Sequence, residues 1–176
     1  MQRVLIIATD GFEQSELTEP KRLLEEAGAE VSVASLKTGE IRGWDEKDWG
    51  ESVAVDLTVG DVSAEDYDAL LLPGGQMNPD ILRTERKVID AVRAFDAADK
   101  PIAAICHAPW LLAEAQLIEG RTVTGWPSIR TDLANAGAAV VDEEVVVDGN
   151  LITSRKPGDI PAFTEALMAA LDMAGD

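Results

Sequence analysis

Apolar residues along the chain alternate between two spacings. RVLIIAT (3–9) is a short apolar run ending in the turn pair Asp10-Gly11, the pattern of a central strand buried on both faces. SELTEPKRLLEEAG (15–28) carries Leu17, Leu23, Leu24 and Ala27 at helical spacing and stops at Gly28. EVSVASL (30–36) predicts a second strand, with Val31 and Val33 on one face. Between Lys37 and Asp61 the pattern breaks into glycines, two tryptophans and short β-like pieces, which predicts a hairpin or excursion on the sheet edge. Within it, the charges and tryptophans of GWDEKDWGES (43–52) predict a surface loop or a subunit contact.

The alternation then resumes. DALLLPGG (68–75) predicts a strand running into a Pro-Gly turn, and a stripe of Ile81, Val88, Ile89, Val92 and Phe95 predicts one helix from about Asp80 to Ala98. PIAAIC (101–106) predicts another buried strand, with a helix beginning in HAPWLLAEAQ (107–116). Short strands near Val123 and Val140 flank a helix through Ile129–Ala136. EVVVDGNLITS (144–154) predicts a hairpin with Asp148-Gly149 in its turn, and a helix from Asp159 to Met173 closes the chain. Such an alternation predicts an α/β sandwich around a largely parallel sheet, whose ligand site lies at the carboxyl ends of the strands. Asp10–Glu13, Pro73–Gly75 and Cys106–His107 all fall at predicted strand ends.

Composition narrows the class of protein. The 176 residues fit one domain spanning 1–176, and 46% apolar with 27% charged residues is a globular balance. A net charge of −18 repels phosphate backbones and anionic lipid, so neither nucleic acid nor membrane is an expected partner. The acidity reads as a solvated surface, with adaptation to high intracellular salt as the alternative. The apolar run at the start is too short for a signal sequence, and a single cysteine forms no internal disulfide; a soluble cytoplasmic protein is expected.

The chemistry-bearing residues stand at the strand ends. Cys106 follows a strand and opens a helix, where partial positive charge and free N–H groups favour a thiolate; the alternative is a small buried hydrophobe. His107 is a candidate general base that wants an acid to orient it. As the neighbour of Cys106 on a tight turn, its side chain is expected to point elsewhere. With neither a second cysteine nor a second histidine, no metal site is expected. The N–H groups at Gly74-Gly75, together with that of His107, form a candidate oxyanion hole, though a plain turn explains the glycines as well. Glu13 is either a carboxyl beside the thiol or the second half of a capping box begun at Asp10. Asn78-Pro79-Asp80 has the form of a helix start.

GFEQSEL, DALLLPGG, PIAAICHAPWLL, GRTVTGWPSIRTDLANAGA and VVVDGNLITSRKPGD together resemble the DJ-1/PfpI family, in its PfpI branch, within the class I glutamine amidotransferase-like superfamily. The resemblance implies a flavodoxin-like three-layer α/β/α sandwich with Cys106 as nucleophile on a strained turn. It further implies Glu13 as the carboxyl contacting the thiol, His107 as its partner, and Gly75 and His107 as oxyanion donors. Gly74 and Trp126 would line the pocket, and Asp80 would reach His107 across a subunit interface in a homodimer or hexamer. No cofactor is implied. The implied activity is a cysteine-dependent hydrolase acting on a peptide or on a small carbonyl such as methylglyoxal and its adducts. Its alternative is a redox-sensing or chaperone-like stress protein.

Overall fold

The computed structural model describes residues 1–173. Twelve strands are formed: β1 (Arg3–Ile7), β2 (Phe12–Glu13), β3 (Glu30–Ser35), β4 (Gly39–Asp45), β5 (Asp48–Val55), β6 (Leu57–Thr58), β7 (Ala69–Leu72), β8 (Ile102–Ile105), β9 (Thr122–Val123), β10 (Ala139–Val140), β11 (Val146–Asp148) and β12 (Leu151–Ser154) among the described residues. The α-helices are α1 (Gln14–Glu26), α2 (Met77–Leu82), α3 (Arg86–Ala97), α4 (Pro109–Glu114), α5 (Arg130–Asn135) and α6 (Ile160–Ala170).

Seven strands form the central sheet in the order β11-β12-β8-β7-β1-β3-β6, parallel except for β11. Period-two alternation sends Leu5, Ile7, Leu70 and Leu72 to one face, where α3, α4 and α5 supply Val92, Phe95, Leu111 and Leu133. Val4, Ile6, Ala69 and Leu71 point to the other face, against Leu17 and Leu24 of α1 and Phe163 and Leu167 of α6. The result is the expected α/β sandwich with a mainly parallel sheet. No helix among the described residues is long and apolar enough to cross a membrane.

Several local expectations are corrected. The stripe read as one helix from 80 to 98 is split into α2 and α3, because the main chain turns at Thr84 and Glu85, whose N–H groups donate back to Ile81 and Leu82. The tryptophan excursion forms the expected hairpin, β4–β5, in a separate sheet with β2 and with Trp44 edge-on to Trp49 at 5.5 Å, while β6 at its end pairs with β3 as the edge strand of the central sheet. In the terminal hairpin Asp148 pairs with Leu151, so the turn residues are Gly149 and Asn150, with Gly149 at φ +58°.

Asn78 is not a helix cap. It is fully buried: its Oδ1 accepts the Thr9 N–H at 2.8 Å, and its Nδ2 donates to the carbonyls of Pro73 (2.9 Å) and Gly74 (3.1 Å). One side chain thus ties the segment leaving β1 to the segment leaving β7. Replacing it strands buried backbone groups without partners, so Asn78→Ala is expected to destabilise the fold by about 2–3 kcal/mol in urea unfolding.

Candidate active site

β1 has β3 on one side and β7 on the other, and the next strand out is β8, so the carboxyl ends of β1, β7 and β8 form the switch point of the sheet. The three chemistry-bearing segments meet there. Cys106 directly follows β8 and adopts φ +66°, a left-handed conformation that costs a non-glycine residue about 1–3 kcal/mol. Two backbone bonds hold it: Cys106 N–H donates to the Ser154 carbonyl at 3.1 Å, and its own carbonyl accepts the Trp126 N–H at 2.8 Å. The turn lifts the thiol above the sheet while leaving the residue only 5% exposed.

The N–H groups of Gly75 and His107 lie beside the Cys106 thiol and favour its ionised form. Gly75 sits at φ +83°, and a Cβ on Gly74 would lie 2.5 Å from Glu16 Oε1, 2.6 Å from Cys106 Cβ and 2.7 Å from the Ile105 carbonyl. These glycines are therefore a close approach rather than a plain turn. The structure places them against the thiol, where the sequence reading put an oxyanion hole.

His107 does not point away from its neighbour. Its Nδ1 lies 3.2 Å from Cys106 Sγ, because the left-handed turn at Cys106 brings both side chains to the same side. The imidazole stacks on Trp126 (5.7 Å between centroids, 22° between planes) and meets the edge of Trp110 (5.3 Å, 68°). Burial pulls its pKa below the usual histidine value, so the ring is neutral near pH 7 and able to take the thiol proton.

The carboxyl at the thiol is a correction. Glu13, expected there, is the residue before α1, with extended backbone (φ −62°, ψ 115°) and no capping bond. Its carboxylate faces Ser15 at 3.5 Å and the acids Asp45 and Glu46 of the hairpin. Asp10, the other half of the expected capping box, instead accepts the Arg42 N–H at 2.7 Å. Glu16 is the carboxyl packed with Cys106 around Gly74: it is fully buried, its Oε1 accepts the Gly74 N–H at 3.1 Å, and its Oε2 has no hydrogen-bond partner among the described residues. The reason is helical spacing, since Glu16, Pro20 and Leu24 lie four apart on the buried face of α1.

Burial, with the Glu13 charge nearby, pushes the Glu16 pKa up to about 8. Burial likewise raises the Cys106 thiol, and an ionised Glu16 raises it further, while the N–H groups of Gly75 and His107 oppose both effects. Near pH 7 Glu16 is mostly protonated. It then places no repelling charge beside the sulfur.

Asp80 lies on the exposed side of α2, and no carboxylate of the same chain hydrogen-bonds the His107 ring among the described residues. A groove of about 790 Å³ between α1 and α6 is lined by Glu13, Leu23, Ile160 and Met168 but not by Cys106 or His107. Among the described residues, no cluster of three or more His, Cys, Asp or Glu is arranged to hold a metal ion.

A parallel α/β sandwich with a buried cysteine on a strained strand-to-helix turn, in contact with a histidine and two backbone N–H groups, defines a class of cysteine-centred sites. Comparison with known proteins gives the family: the sequence pattern of the DJ-1/PfpI family matches residues 2–170, and the chain belongs to it. It is 44% identical over 173 residues to general stress protein 18 of Bacillus subtilis, covering 97% of this chain and 98% of that protein. It is 43% identical over 169 residues to a protein named as a deglycase from Pyrococcus abyssi, covering 96% and 99%. The crystal structure of Drosophila melanogaster DJ-1β superposes with a TM-score of 0.86 at 34% identity, covering 99% of this chain and 91% of that one.

Glu16 holds its proton to about pH 8 in the folded chain but releases it near 4.5 when unfolded. Between those values the folded state binds more protons, so stability falls as pH rises from about 4.5 to about 8. Unfolding free energies measured in urea across this range are expected to show that decline in the native protein and to lose it in Glu16→Gln.

Proposed function

We propose that the protein is a cysteine-dependent hydrolase whose nucleophile is Cys106. The observation that carries this reading is the 3.2 Å contact between Cys106 Sγ and His107 Nδ1, at a thiol whose ionised form the Gly75 and His107 N–H groups favour. His107 takes the thiol proton, and the sulfur adds to an electrophilic carbonyl carbon, forming a C–S bond as the C=O electrons move onto oxygen. The Gly75 and His107 N–H groups hold that oxyanion. With an amide, imidazolium returns its proton to the departing amine as the C–N bond breaks, leaving a thioester. Water attacks the thioester, giving one proton to His107 and releasing the acid, and the thiol is restored. With a small aldehyde such as methylglyoxal, the same addition gives a hemithioacetal. The substrate class is therefore a peptide or a reactive carbonyl and its amine adducts, in keeping with the deglycase and stress-protein names of the relatives. Cys106→Ser is expected to lower turnover of methylglyoxal adducts and of peptides by at least roughly 10³-fold. Unchanged turnover would refute the reading.

The acid for His107 is proposed to be Asp80 of a second copy. Asp80 stands on an exposed face of α2 beside Met77 (37% exposed) and Ile81 (40% exposed), an apolar setting that suits self-association. Sedimentation is expected to show an oligomer, and Asp80→Asn to lower kcat roughly 10-fold or more without dissociating it. A monomer with full activity would exclude this arrangement.

A second reading has its own observation, the buried Glu16 carboxyl packed with Cys106 around Gly74, whose Oε2 has no hydrogen-bond partner among the described residues. With peroxide as oxidant, the same donors would hold a sulfinate on Cys106. Mild peroxide is then expected to add two oxygens at Cys106 alone, read by mass spectrometry, and a cysteine that stays reduced would exclude it.

A further inference from the structure

We propose that Trp110 is a positioning residue of this site, anchored by Asp132 so that its ring edge keeps the His107 imidazole turned toward Cys106. The inference rests on the reading of Cys106 and His107 as the working pair. The terminal torsion of a histidine is broad and roughly two-fold, so its ring flips readily unless neighbours prevent it. A flip would exchange Nδ1 for a carbon and break the 3.2 Å contact with sulfur. Two indoles restrict it: Trp126 lies against the imidazole face, and Trp110 presents its ring at 68° to the imidazole plane.

The two indoles are held differently. The Trp126 backbone is pinned beside the nucleophile by the bond from its N–H to the Cys106 carbonyl. Trp110 lies in the first turn of the six-residue helix α4 and is only partly buried, so side chains must fix its orientation. Its Nε1 donates to Asp132 Oδ2 of α5 at 2.9 Å. The Arg83 guanidinium, just past α2, lies 5.2 Å from the ring centroid and is itself held by Glu114 at 3.1 Å. The indole is thus gripped from α5 and from the end of α2 while it meets the imidazole. Packing alone would require neither the polar anchor nor the cation over the ring.

His107 is the only histidine of the chain, so the side-chain nitrogen resonances of the ¹⁵N-labelled full-length protein report this ring alone and give its tautomer directly. At about pH 8, where the imidazole is neutral, the native protein is expected to show one dominant tautomer. In Trp110→Ala both nitrogen shifts are expected to move toward the averaged values of a free imidazole. kcat should fall roughly 10- to 100-fold, with KM changed by less than about 3-fold. Asp132→Ala removes only the anchor and should move the shifts and kcat in the same direction by less, whereas Asp132→Asn keeps an acceptor and should restore native values. Should Trp110→Ala fail to fold, the Asp132 pair carries the test. Native imidazole shifts in a folded Trp110→Ala, or equal shifts for Asp132→Ala and Asp132→Asn, would overturn the proposal. Failure of the hydrolase reading is distinguished by Cys106→Ser retaining turnover, an outcome that leaves the resonance test of Trp110 intact.

Discussion

The candidate site depends on a single backbone conformation, the left-handed turn at Cys106. A cysteine at φ +66° is held against a cost of about 1–3 kcal/mol, offset by bonds to Ser154 on β12 and to Trp126. Each neighbour's role follows from that turn. It aims the sulfur at the N–H groups of Gly75 and His107, brings the imidazole to the same side, and starts α4 so that Trp110 faces the imidazole. A relaxed extended residue there would continue β8 and turn its side chain to the sheet face opposite Ile105, away from the face on which Cys106 packs with Ile105 and Ile152. The strain is therefore part of the site's construction.

Electrostatics set the second constraint. A strongly acidic chain is a poor place to stabilise a thiolate, and both carboxylates near Cys106 would oppose it when ionised. Burial eases the conflict by keeping Glu16 protonated to about pH 8, which removes its repelling charge from beside the thiol. Glu13 is half-buried, beside Ser15 and the hairpin acids Asp45 and Glu46.

The surrounding fold serves to hold three segments in register. Asn78 ties the ends of β1 and β7 together, Glu13 N–H donates to the Gly74 carbonyl, and β2 links the same segment to the Trp44–Trp49 hairpin. Relatives named for general stress and for deglycation share this scaffold, as expected when activity resides in a few residues grafted onto a common fold. The groove between α1 and α6 is lined by Glu13 but not by Cys106 or His107, so that cavity and the Cys106 sulfur are distinct features of the surface.

The strand and helix periods along the chain determined the sandwich, the parallel sheet and the gathering of Pro73–Gly75 and Cys106–His107 at one sheet edge, because apolar spacing records which faces are buried. The five ordered motifs likewise carried the family. Side-chain direction near a helix start was not legible in the same way. Glu13 and Glu16 both sit in GFEQSEL, and only the observed start of α1 at Gln14 turns Glu16 inward and leaves Glu13 outside. Extending the buried spacing of Leu24 and Pro20 back by four was the available signal for Glu16. The break between α2 and α3, the role of Asn78, the meeting of Sγ with Nδ1 and the indoles around His107 were decided by tertiary structure. Each depends on a backbone turn or on partners tens of residues away, which local periodicity does not encode.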